Sequence, residues 1–64
     1  MNQKERWIVN AKMLGKLTPA MAEALRRHAK NHSEWHMSVM MMSIINEHKS
    51  FRAAHTEATR LVGK

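Results

Sequence analysis

The sequence predicts an all-α fold in which two short N-terminal helices pack on one long C-terminal helix, straight or kinked, with dimerisation completing the core. Three observations predict it. Residues 33–62 run for thirty positions without a Gly or Pro. Within them Met37, Met41, Ile44, His48, Phe51, His55, Ala58 and Val62 recur at alternating steps of four and three, which returns each to one side of a helix. Upstream, Gly15 and the Leu17-Thr18-Pro19 step are the clear punctuation, and they divide the first half into two shorter segments.

The first segment reads as a helix from Gln3 to Leu14, capped by Asn2 and ended at Gly15. Trp7, Ala11 and Leu14 share a face with Ile8 beside them. A helix of about a dozen residues is marginal alone, so it must dock, and Trp7 is the anchor expected to hold it.

Thr18 caps the second helix, and Pro19 stands where a missing amide hydrogen costs nothing. The helix continues from Ala20 to about Lys30, with Met21, Ala24, Leu25 and His28 on its apolar side. Arg26, Arg27 and Lys30 gather near its C-terminal end, where the helix dipole favours cations. Glu23 can pair with Arg27 one turn on.

Asn31-His32-Ser33 is the next turn, with Ser33 as cap and Glu34 in the first turn of the long helix. A thirty-residue helix would be about 45 Å long, close to the summed length of the first two helices. Lys49–Ser50 is the point where it would divide if it divides. Where the first two helices fall short, a second copy of the chain is expected along Ile44, His48, Phe51, His55, Ala58 and Val62. Gly63 closes the helix.

Sixty-four residues make a single small helical domain spanning 1–64, and chains this short bury only about 60% of their unfolded surface. The usual supports are disulfides, a metal or a partner. Cysteine is absent, which removes disulfides and thiolate sites. Eleven Lys and Arg against five Glu give a net charge of +6 and a pI near 10.6, a balance that suits anionic partners. The first residues, MNQKERWIVNAK, lack the apolar core of a signal peptide. The longest uncharged run, 37–46, is about half of a membrane span. The chain therefore reads as soluble and cytoplasmic, without a membrane partner.

Two function classes fit this chain. The first is a small protein-binding module, an adaptor or inhibitor, docking a cationic, Met-rich helical face on an acidic partner. Its contact residues would be Trp35, Met37, Met40 and Met41, with Arg26, Arg27 and Lys30 at the rim. The alternative is a sequence-tolerant DNA- or RNA-binding accessory or regulatory protein, contacting phosphates through Lys4, Arg6, Lys12, Lys16, Arg26, Arg27 and Lys30. Trp7, Trp35 and Phe51 are too few and too embedded in apolar context for base stacking. Residues 19–39 resemble a helix-turn-helix only in outline, because the second helix would present Trp35, His36, Met37 and Met40 in place of polar base readers.

Histidine suggests two further readings. His28, His32 and His36 repeat every fourth residue, a spacing that lets adjacent pairs chelate zinc on an unbroken helix. The turn at 31–33 would interrupt that row, and Glu34 would point off its face, so no metal and no cofactor are expected. His48 and His55 interrupt the apolar stripe, either half solvated at its edge or as polar markers inside a helix–helix contact. Enzymatic sets are missing: the Glu residues are scattered, no Gly-rich phosphate loop is present, and the Ser–His neighbours lack a third orienting group. A non-enzymatic protein without a small-molecule substrate is expected.

Overall fold

A computed structural model describes residues 2–63 as four helices, α1 (Gln3–Met13), α2 (Pro19–Ala29), α3 (Glu34–Glu47) and α4 (Phe51–Leu61), with no strand among them. Every helix opens on a side-chain cap. Asn2 accepts from the Glu5 N–H, Thr18 from Met21, Ser33 from His36 and Ser50 from Ala53, at 2.9–3.1 Å. Each bond satisfies an amide that the first helical turn leaves without a partner. At the other end of α1, Gly15 takes φ +75°, which lets the Lys16 N–H reach back to the Ala11 carbonyl at 2.9 Å and the Gly15 N–H to Lys12 at 3.0 Å. This is the Schellman pattern, in which the left-handed position favours glycine.

The all-α class holds, but the long C-terminal helix does not form, and four helices of similar length replace two short ones on a rod. The chain leaves α3 through His48, which adopts a left-handed conformation at φ 56°. The N–H groups of His48 and Lys49 both turn back to the Ser43 carbonyl, and Ser50 then opens α4. The reason is packing. A continuous rod would leave the small apolar face of α4 in water, whereas the break lays Ala54 and Ala58 fully buried in the core.

That break also dissolves the stripe assigned to a dimer. Ile44 and Ala58 are buried within one chain, and Phe51, His55 and Val62 are half-buried on or beside α4. His48 is exposed at the bend. These residues no longer form one continuous seam.

α2 runs back along α1, bringing Pro19 and Ala22 beside Val9 and Met13. α1 runs in the same sense as α3: Lys4 reaches the turn just before α3, and Leu14, Gly15 and Lys16, just after α1, border one hollow with Ile44, Ile45 and His48 at the far end of α3. α3 packs most extensively on α4. The core is built from Ile8, Leu17, Leu25, Met37, Met40, Met41 and Ile44, with small alanines between them. Ile8, fully buried, anchors α1; Trp7 is half-buried beside it, and Leu14 lies in solvent. The whole measures 28 × 25 × 15 Å. No helix among the described residues is long and apolar enough to cross a membrane.

Candidate metal centre

Four imidazoles from three helices and one turn meet at the junction of α2, α3 and α4. His28 lies in the last turn of α2, His32 in the turn after it, His36 in the first turn of α3, and His55 on α4. All six pairs of rings approach closely, with centroids 3.9–5.9 Å apart. One ring nitrogen from each residue falls within 4.8 Å of the other three.

The turn at 30–33 creates this convergence where the sequence suggested that it would prevent it. On a straight helix His28 and His36 would be separated by about 12 Å of rise, too far for one ion. The bend folds that row back on itself and brings the two rings to 5.9 Å. His55 arrives through the second break, at His48–Ser50, which aims α4 across the same point. Phe51 meets the His28 ring edge-on at 5.2 Å and walls one side of the group.

The donor set fits a metal. His36 is fully buried, and His28, His32 and His55 are half-buried. The Nε2 of His28 is buried and has no hydrogen-bond partner among the described residues. A buried polar nitrogen left so costs on the order of 1–3 kcal/mol, a cost that coordination would remove. Burial lowers the pKa of His28 below its ordinary 6.5, and the neighbouring His32 and His55 lower it further. His32 is lowered by burial first, then by His55 and by the Lys4 ammonium. These two imidazoles are thus held neutral, the form that binds metal. Four nitrogens about a tetrahedral zinc at about 2.0–2.1 Å lie about 3.3 Å from one another, so modest ring rotations close the observed set onto an ion.

α1 contributes no ligand, yet it reaches the site. The Lys4 Nζ donates to the carbonyls of Ala29 at 2.6 Å and His32 at 2.7 Å. The first is one of the α2 C-terminal carbonyls left without an intrahelical partner, which the His32 N–H otherwise reaches only at 3.5 Å; the second belongs to one of the four candidate ligands.

The surfaces read from the sequence fall differently. Met37, Met40 and Met41 are core residues, while Trp35 is 72% exposed and Met42 is 59% exposed. Arg26 stands 3.7 Å from Glu5, and Arg27 and Lys30 border the same hollow as Glu5 and Glu23. Arg6, Lys12 and Lys16 are exposed on and after α1, while Lys4 is turned inward. The basic residues therefore do not gather into one uninterrupted patch. His55 is the site member that sequence spacing could not supply, since only the position of α4 brings it to the others. No protein-family model matches the chain, and no curated protein or solved structure matches it at a significant level.

Proposed function

We propose that this protein is a small metal-binding helical module, in which a zinc-class divalent ion held by His28, His32, His36 and His55 ties α4 to α2 and α3. The convergence of four imidazoles on one point carries this reading. Imidazole suits zinc, copper, nickel and cobalt, and the absence of any carboxylate in the group disfavours magnesium and calcium. The ion's role is structural: α4 buries only Ala54 and Ala58 completely, and single methyl groups contribute little, at about 0.8 kcal/mol per buried carbon unit. A metal bond from α2 and α3 to His55 adds a cross-link to the α3–α4 packing in a chain with no cysteine.

The test is a calorimetric titration of metal-stripped protein with zinc, nickel and magnesium. One equivalent of zinc binding at micromolar affinity or tighter, with magnesium silent, supports the reading. No zinc heat together with unchanged histidine NMR signals would remove it.

A second reading, docking on an acidic protein, draws support from the exposed Trp35, Met42 and Leu61 on a chain of net charge +6. Capture of a defined partner that survives nuclease and is lost in Trp35→Ala would favour it. Steeply salt-dependent binding to random oligonucleotides would favour the nucleic-acid alternative instead.

A further inference from the structure

We infer that Lys4 is a positioning residue of the histidine site, fixing the turn that carries His32 and making the docking of α1 and the binding of an ion mutually dependent. This rests on the metal-binding reading above and assigns a role to a residue from the one helix that provides no ligand.

Three of the four candidate ligands are carried by the short stretch from His28 to His36. Its geometry depends on how the chain turns between α2 and α3. Inside that turn the Asn31 N–H meets the His28 carbonyl at an ordinary 3.1 Å, but the His32 N–H reaches Ala29 only at 3.5 Å. The Lys4 bonds are much shorter, at 2.6 and 2.7 Å, and come from a charged donor. Charge-assisted bonds of this kind are roughly twice as strong as neutral ones. They grip the carbonyls of Ala29, at the end of α2, and of His32, inside the turn. Ala29 is buried against the core, so the ammonium ties the His32 peptide to a fixed point of the fold.

Such partners matter for metal sites because a ligand's orientation is set by what its own residue is bonded to. The arrangement here acts through the main chain of the ligand, with the stem of Lys4 crossing from α1. The consequence is reciprocal. An ion that holds His32 in place presents Lys4 with a preformed pair of acceptors, and a docked α1 presents the ion with a preformed turn. The positive charge of Lys4 opposes a cation, so its positional effect and its charge act in opposite directions, and a substitution separates them.

The experiment measures zinc affinity by competition with a chromophoric chelator for the full chain and for Lys4→Met, Lys4→Arg and Ile8→Val. Ile8→Val loosens α1 without touching the turn, because Ile8 is a buried core residue of the same helix. Lys4→Met is expected to weaken zinc binding by about 10- to 100-fold, the range seen when outer partners of metal ligands are removed. Lys4→Arg, which keeps several N–H donors, should recover most of that loss, and Ile8→Val, which loosens α1 but leaves the Lys4 bonds in place, should weaken binding much less than Lys4→Met. Lys4→Met binding as tightly as the parent, or more tightly, would overturn the inference, the latter showing that the ammonium acts only by repulsion. Equal losses in Lys4→Met and Ile8→Val would also overturn it, by showing that any loosening of α1 suffices. If the parent itself takes up no zinc, the metal-binding reading fails first and this inference with it, an outcome distinct from the other two.

Discussion

The rings of His32 and His36 stack face to face, with centroids 3.9 Å apart and planes 9° from parallel. Their residues lie on opposite sides of the Ser33 cap that opens α3. The lone pair of an imidazole lies in its ring plane, so two rings this close to parallel must tilt before both can point at one ion, and binding is expected to break the stack.

Zinc should raise the thermal stability of the metal-stripped protein. At about one hundred times the dissociation constant, the gain is about 2.7 kcal/mol, or about 10–20 °C in Tm for a domain of this size. His55→Gln should lose most of the increment, because His55 is the member of the proposed ligand group that α4 carries. Melting curves by circular dichroism, recorded with zinc and with a chelator, check this. An equal zinc shift in parent and variant would exclude His55 as a ligand.

Without metal, stability should fall on acidification. The folded-state pKa values of His28 and His32 lie below the ordinary 6.5, so the unfolded chain takes up protons first as pH drops. The native state keeps its full stability above about pH 6.5 and loses it progressively below, until the lowered folded values are passed. Urea unfolding in chelator, at slightly alkaline and at mildly acidic pH, reads the difference, and His28→Gln should flatten it.

The break between α3 and α4 gives two substitutions of known sign. Ser50→Ala removes the hydroxyl that caps Ala53, at a cost of about 1 kcal/mol. His48→Gly relieves a left-handed residue and should be neutral or stabilising. In a continuous helix both signs would reverse, since alanine is the best helix former and glycine one of the worst. Chemical denaturation of the two variants tests the four-helix arrangement directly.

Leu25→Ala should be among the most damaging single changes in the core. Leu25 is fully buried on α2, where α1 and α3 also contribute core side chains, and such truncations cost about 2–5 kcal/mol. For a domain with so small a core that loss consumes much of the total. Metal-free Leu25→Ala is expected to be largely unfolded near physiological temperature, and zinc should restore part of its helical signal.

Much of the fold could be read from neighbouring residues. Asn2, Thr18 and Ser33 each precede a helix as caps, and Gly15 and Gly63 end the first and last, because these signals act within a few residues of where they are written. Ser50 carries the same signal, but it sits inside a run without Gly or Pro whose apolar stripe continues through it. The stripe persisted because His48 and Phe51 keep the helical step in sequence, although the backbone between them does not. Tertiary packing of Ala54 and Ala58 decided the break, and no local rule contains that information. The histidines divide in the same way. The row at 28, 32 and 36 is visible in the spacing, while its folding onto one point depends on the bend, and the fourth member depends on where α4 is sent. Methionine is ambiguous in sequence: the cluster at 37–42 fits either a core helix with one Met left exposed or an adaptable surface, and in the fold Met37, Met40 and Met41 fill the interior while Met42 stays exposed.

The pairing of α1 with α2 and of α3 with α4 joins segments that are adjacent along the chain. Connections of a few residues close at low entropic cost, and proteins dominated by such near contacts refold within microseconds to milliseconds. Each hairpin can collapse before it meets the other. A rapid-mixing trace of the metal-free chain should therefore show most of its helix content recovered within the dead time.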